Sequence, residues 1–502
     1  MITERNVDQF ELWFLTGSQH LYGPEVIDEV ERDVRAIVDG LNGSGQLPVK
    51  LVPKPVLTTS EAITRALADA TASDSCVGVV AWMHTFSPSQ MWLPGLKLLG
   101  KPIAHLHTQL NREIPWDSID MDYMNLHQSA HGGREFGFAA TRLGTPRKVI
   151  VGHWKDADVQ SELGAWSTVA LAHADARSGR IARFGDNMRR VAVTEGNKVS
   201  ARATFGYSVE GFGVGDLVEY VNAVSDADVD RTVAEYEQKY SVAAELRKGG
   251  ERHEALRYAA RQELGLRGFL EDGDFIAFTT TFEDLHGLDQ LPGFAPQRLM
   301  EQGYGFGAEG DWKTSAFLRA AKVMAMGRSG GTSFMEDYTY NFNGADSTVL
   351  GSHMLETCPT IAEGEPSIEI HPLGIGGKSD PVRAVFDAQT GPARNATMVD
   401  LGSRYRLIIN EVNATTPPAP MPKLPVARVL WKPEPDLRTA AASWILAGGA
   451  HHTVYTQAVT QQQFIDYARM TGVEVVVIGE GSTVNGVEDV LHWNELYYRL
   501  KG

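Results

Sequence analysis

The chain has 502 residues, of which 43% are hydrophobic and 22% charged; it is too long for one hydrophobic core and too apolar for a disordered or fibrous protein, so several globular domains are expected. A formal net charge of −17, from 46 basic and 63 acidic side chains, argues against nucleic acid or a membrane surface as partner and suits a neutral substrate with a divalent cation. Two cysteines, Cys76 and Cys358, allow no disulfide framework or CxxC motif and point to a reducing compartment.

In chain order, Met1–Asp8 shows no basic segment leading into an apolar one, and no apolar run is long enough to span a bilayer, so a cytoplasmic protein is expected. Glu11–Thr16 reads as a strand and Pro24–Asp39 as a helix with proline in its first turn. Strands at Val49–Val52, Val77–Trp82, Ile103–Leu106 and Lys148–Val151 alternate with helices from Ser60, near Ser87–Leu99 and near Gly133–Leu143. That alternation predicts a doubly wound parallel sheet, with active loops beyond the carboxyl ends of its strands. Thr16–Gly23 (TGSQHLYG) occupies such a place after the first strand. A helix over Asp156–Ala176 closes this first α/β domain, taken as 1–179. A second α/β domain, 180–330, is predicted from a strand at Arg190–Thr194, a charged helical stretch over Asp226–Glu263, a strand in Phe275–Phe282 and a helix near Thr314–Met326. After Gly327-Arg328-Ser329-Gly330-Gly331 short alternating runs, Ser367–Ile370, Ala384–Phe386, Tyr405–Val412 and Val426–Trp431, are separated by Pro, Gly and Asn. They predict a C-terminal domain, 331–502, with an antiparallel β-barrel, ending in a helix near Thr460–Arg469, the strand Val473–Ile478 and a last helix. The expected fold is therefore α/β: two doubly wound, Rossmann-like domains followed by a barrel-containing one.

Two motifs are decoys. Gly305-Phe306-Gly307-Ala308-Glu309-Gly310 matches the dinucleotide fingerprint in letters, but lies late in its domain and not at a first strand-to-helix turn. Gly376-Gly377-Lys378-Ser379 ends like a phosphate loop, yet Pro372 stands where the first glycine belongs. A stronger signal is a set of carboxylates and imidazoles in glycine-rich turns: Glu309 in Ala308–Lys313, Glu336 in Ser333–Tyr338, His353 in Leu350–Leu355, and His451 and His452 in Ala447–Thr453. Two carboxylates with two neutral imidazoles suit Mn²⁺, Co²⁺ or a similar ion, and the lack of thiolates argues against structural zinc. Separations of 27, 17 and 99 residues match no short metal motif. Spacing leaves joint coordination open and does not choose between His451 and His452. Asp311 and Asp337 read equally as partners of the ligands or as surface turns, and Trp312 and Tyr338 as packing residues.

The runs Gly307–Lys313, Gly331–Tyr340 (GTSFMEDYTY), Leu350–Leu355 (LGSHML), His371–Lys378 (HPLGIGGK) and Gly448–Val454 (GGAHHTV), with Thr16–Gly23 and Ala130–Gly137 (AHGGREFG), resemble the L-arabinose isomerase family over essentially the whole chain. The resemblance implies conversion of L-arabinose to L-ribulose, the first step of L-arabinose catabolism, with D-galactose to D-tagatose as a side reaction. It implies Glu309, Glu336, His353 and His452 as ligands of Mn²⁺, with Co²⁺ or Mg²⁺ as substitutes, and Glu309 and Glu336 as the acid–base pair. It places Gln19, Leu21, Tyr22, His131, Met188 and Phe282 in the sugar pocket, and it implies a homo-oligomer, commonly a hexamer, in which an N-terminal domain closes a neighbour's site. The alternatives are an isomerase for a related sugar such as L-fucose, or a non-catalytic sugar-binding protein, against which the missing signal peptide and the extra C-terminal domain count.

Overall fold

Apolar runs rich in valine, isoleucine and aromatic residues form the strands of four sheets in a computed structural model that describes residues 1–501. β1 (Glu11–Gly17), β2 (Lys50–Pro53), β3 (Cys76–Met83), β4 (Ile103–His107) and β5 (Lys148–Val151) make a five-stranded sheet in the order β2-β1-β3-β4-β5, parallel throughout. Every residue of β3 is buried, because the sheet is covered on both sides. Val79 and Ala81 pack with Leu67 and Phe136 from two helices, while Gly78, pointing the other way, leaves room for the Trp166 ring of the helix Ala157–Ser178. This sheet and its helices form one compact unit, Ile2–Ala174; a second unit runs from Asp175.

In the second unit, β6 (Arg180–Phe184), β7 (Ser208–Phe212), β9 (Phe275–Thr279) and β10 (Gly305–Gly307) form a parallel sheet in the order β10-β9-β6-β7. The short β8 (Ser241–Val242) belongs elsewhere, pairing with β13 (Ser367–Ile370), which pairs in turn with β14 (Val382–Val385). β11 (Thr332–Asn341), β12 (Thr348–Ser352), β15 (Gly391–Asp400), β16 (Tyr405–Thr415), β17 (Arg428–Pro433), β18 (His452–Thr456) and β19 (Glu474–Ile478) form a mixed seven-stranded sheet in the order β15-β18-β11-β12-β17-β16-β19. β15 also pairs with β16, so the antiparallel ladder from β15 round to β16 returns on itself, with β19 added in parallel to β16.

Two expectations need correction. Arg190–Thr194 is not a strand: Arg190 has φ 69° and Ala192–Thr194 is a turn of 3₁₀ helix, while the strand of this region is β6. The Thr194 carbonyl is drawn inward to accept from Asn187 Nδ2 at 2.6 Å and Lys313 Nζ at 2.8 Å, which an extended segment would not allow. Nor is Asp226–Glu263 one helix. It breaks after Lys239 into β8 and a 3₁₀ turn, and helix resumes at His253 past Gly249 and Gly250. Among the described residues no helix is long and apolar enough to cross a membrane.

Candidate metal centre

The site is assembled at one end of β10 and of three neighbouring antiparallel strands. β10 stops at Gly307, and Ala308-Glu309-Gly310-Asp311 turns the chain into the helix Trp312–Met324. Glu309 sits in the left-handed region at φ 61°, costly for a residue with a side chain and held here by its neighbours. Its carbonyl accepts from Met188 N at 2.9 Å, and Gly310 N donates to Thr280 O at 3.0 Å. Gly310 itself has φ 79°, and a Cβ there would lie 2.5 Å from Asn187 Cα; only glycine fits. The turn presents the Glu309 carboxylate in a fixed direction.

Strand register supplies the rest. Glu336 on β11 is directly opposite His452 on β18 and opposite Ser352 on β12, and His353 follows Ser352. Directly paired residues in such a ladder share a face with Cβ atoms about 5 Å apart, so Glu336 and His452 stand side by side, and His353 joins them from just past the end of β12. The Phe334 ring, two residues before Glu336 and on the same face, stands 4.9 Å from the His353 ring and 5.1 Å from that of His452.

One ligand atom from each of Glu309, His353 and His452 lies within 4.8 Å of the others. Glu309 Oε2 is 3.7 Å from His452 Nε2 and 3.8 Å from His451 Nε2, and Glu336 Oε2 is 3.9 Å from His353 Nε2. Each buried imidazole is oriented from behind. His353 Nδ1 contacts Glu356 Oε2 at 2.5 Å, and His452 Nδ1 contacts Asp311 Oδ2 at 3.1 Å. The outward Nε2 atoms of His353 and His452 are buried and have no hydrogen-bond partner. A buried nitrogen lone pair left without a donor is unfavourable unless something else accepts it. Two such nitrogens beside two carboxylates fit a divalent ion of the Mn²⁺ or Co²⁺ kind.

Charge within the site is arranged accordingly. Burial pushes the Glu309 carboxyl up, but the nearby imidazoles of His451, His452 and His353 outweigh it and hold the group below its usual range. Burial pulls His353 down, yet Glu356, then Glu336 and Glu309, raise it overall. Asp311 is 1% exposed; burial raises its carboxyl, and Lys313, His452 and Thr314 reverse that and keep it well below the ordinary value. Its side chain also accepts from Thr314 N and so caps the helix Trp312–Met324. Burial and the adjacent Glu336 push Asp337 up to about 6. Burial and the Glu336 carboxylate raise the Tyr338 phenol, whose residue is 48% exposed and borders the site, contrary to the packing role expected of it. Trp312 is fully buried.

Of the six expected pocket residues, two join this cluster: Met188 through its bond to the Glu309 carbonyl, and Phe282, whose ring lies parallel to His353 at 6.2 Å. The other four lie in the Ile2–Ala174 unit. Gln19, Leu21 and Tyr22 share the turn after β1, with Leu21 82% exposed. Gln128 Nε2 donates to Tyr22 Oη at 3.2 Å, and Gln128 Oε1 lies 3.1 Å from His131 Nδ1. Sequence reading missed Gln128 and Glu356. Glu356, three residues past His353, could have been flagged by that spacing; Gln128 carries no comparable signal.

The chain is similar to known proteins over most of its length. Residues 6–178 match the L-arabinose isomerase N-terminal domain, 180–327 its central domain and 331–474 its C-terminal domain. An L-arabinose isomerase of Herpetosiphon aurantiacus is 58% identical over 495 residues, 99% of each chain. L-arabinose isomerases of Geobacillus stearothermophilus and of a Nocardioides species are each 57% identical over 98% of both chains.

Proposed function

This chain belongs to the L-arabinose isomerase family, and we propose that it interconverts L-arabinose and L-ribulose at Glu309, Glu336, His353 and His452, using Mn²⁺. The observation that carries this is a pair of carboxylates facing two buried imidazoles whose Nε2 atoms lack hydrogen-bond partners. A divalent ion held by these residues would supply Lewis-acid polarisation of the sugar's oxygens and offset charge developing on them.

The protein's own residues do the proton work. One of Glu309 and Glu336 takes the proton from C2 of the open-chain aldose, leaving a cis-enediol, and returns it to C1. The other carboxyl moves a proton between the two hydroxyl oxygens, so atoms and charge balance over the cycle. Glu356 and Asp311 hold the imidazoles in place, and Phe334 and Phe282 keep that side of the site apolar. Gln19, Leu21, Tyr22 and His131, with Met188 and Phe282, are assigned to the sugar pocket. In this reading the protein is a cytoplasmic homohexamer in which the N-terminal domain of one subunit closes the site of another. The domains are 1–179, 180–330 and 331–502, and the self-closing ladder from β15 to β16 is the antiparallel barrel of the last.

The test uses purified protein, stripped with EDTA and reloaded with Mn²⁺, incubated with L-arabinose, L-fucose and D-galactose. L-arabinose should turn over fastest, and only with metal. Glu309→Gln should still bind Mn²⁺ yet lose roughly 10²–10⁴-fold in kcat; near-normal turnover in that variant would remove Glu309 from the acid–base pair. His452→Ala should weaken Mn²⁺ binding, and an unchanged titration would move the ligand role to His451.

A further inference from the structure

Behind Glu336, on the opposite face of β11, lies a second, partly open space with a mixed lining, Val349, Trp431, Pro433, Leu437, Ala440 and Ala441 forming its apolar part. The ladder between β11 and β12 shifts register between Asp337 and Thr339, the kind of irregularity that re-aims side chains. A cavity of about 30 Å³ opens there, bordered by Asp337, Tyr340, Asn395, Asn410 and Thr453 and closed by Trp444 of the helix Leu437–Leu446. We propose that this cavity binds one alkali cation, of sodium or potassium type, at a site separate from the divalent centre.

Five observations support it. Asp337 Oδ1 is buried and has no hydrogen-bond partner, which in an apolar surround is unfavourable unless a cation or a donor meets it. Asn395 and Asn410 are directly paired across β15 and β16 and so share a face. Asn410 directs its amide nitrogen to Glu434 O at 2.9 Å and Ile478 O at 3.2 Å, which leaves its amide oxygen as an acceptor. The Thr453 hydroxyl donates to Met335 O at 3.2 Å or to Asn395 Oδ1 at 3.4 Å, so its oxygen too remains an acceptor. Among the described residues no lysine, arginine or histidine borders the cavity.

The donors are all oxygen, which selects hard cations. They carry a single negative charge. A monovalent ion cancels it, whereas a divalent ion would leave a net positive charge in a low-dielectric interior, at high cost. The volume admits one ion or one to two waters and excludes a sugar or a phosphate.

Thermal unfolding of the full chain in saturating MnCl₂ tests the proposal, with KCl or NaCl exchanged for tetramethylammonium chloride at constant ionic strength. The expected result is a saturable rise of about 2–4 °C in the midpoint with the alkali salt alone, lost in Asp337→Asn. An equal response to tetramethylammonium, or a rise that persists in Asp337→Asn, overturns it. Independently of how that variant folds, crystals of the unmutated protein grown in thallium(I) acetate provide a second reading. An anomalous peak beside Asp337 is expected, and a cavity holding water with no anomalous signal overturns the assignment.

Discussion

His353 and His452 owe their readiness to bind to the carboxylates behind them. A neutral imidazole carries one proton, and the side bonded to an acceptor keeps it. Glu356 Oε2, 2.5 Å from His353 Nδ1, therefore fixes the tautomer whose lone pair points outward at Nε2, and the same logic applies to Asp311 and His452. His451 has no such support, and its side chain is 38% exposed. Glu356→Gln keeps the shape and an acceptor oxygen but loses the charge that sharpens the ligand. Affinity for Mn²⁺ should fall roughly 10–100-fold, read by isothermal titration, while excess metal restores most of the turnover. An unchanged affinity would mean that Glu356 merely fills space.

At the scale of elements, the site depends on how closely β12 approaches its neighbours. Gly351, one residue before Ser352, lies where a Cβ would fall 2.0 Å from the Trp431 ring on β17. Gly351→Ala must move the indole or push β12 away, and either displaces His353. A loss of about 1–3 kcal/mol is expected from overpacking, together with weaker Mn²⁺ binding. Gly344→Ala, in the hairpin between β11 and β12 where a Cβ meets nothing within 4 Å, is the control: its positive φ makes it mildly destabilising, with metal affinity unchanged. Equal effects in the two variants, by thermal melts and metal titration, would contradict this account. The same contrast shows what a sequence can convey. Lys148–Val151 and Ser367–Ile370 were legible to the residue because each is a short β-rich run bounded by turn-formers. Arg190–Thr194 misled because Val191 and Val193 alternate like a strand, and nothing local shows that Thr194 is tied to Asn187 and Lys313. Register is the largest omission. That Glu336 faces His452 follows from pairing between strands far apart in the chain, and no local pattern encodes it. Resemblance grouped the four residues; the flanking of β11 by β12 and β18 accounts for the nearness of Glu336 to His353 and its pairing with His452.

For the whole molecule, two independent dependences are separated between its two compact units. The cluster of Glu309, His353 and His452 lies in the unit from Asp175, whereas the Ile2–Ala174 unit contains a buried histidine on β4 that favours neutrality. His105 is 4% exposed, its Nε2 has no partner, and its ring packs edge-on against Phe136 at 5.0 Å. Burial, then the neighbouring His107 and Arg147, lower it from 6.5 to about 4. Between those two values the unfolded chain binds more protons at this position than the folded one, so stability rises with pH there. It is fully present above 6.5 and is lost as the pH falls towards 4, by roughly 3 kcal/mol for this residue. Hydrogen exchange of the full chain in urea, read on peptides covering β4 and corrected for intrinsic rates, measures the loss directly. Protection of β4 should decline over that window, and His105→Gln, which cannot take the proton, should flatten the decline. Added Mn²⁺ should raise protection of β11 at pH 7 while β4 keeps its pH profile. A β4 profile that is level between pH 6.5 and 4, or one unaltered by His105→Gln, would show that another group governs the acid sensitivity of this unit.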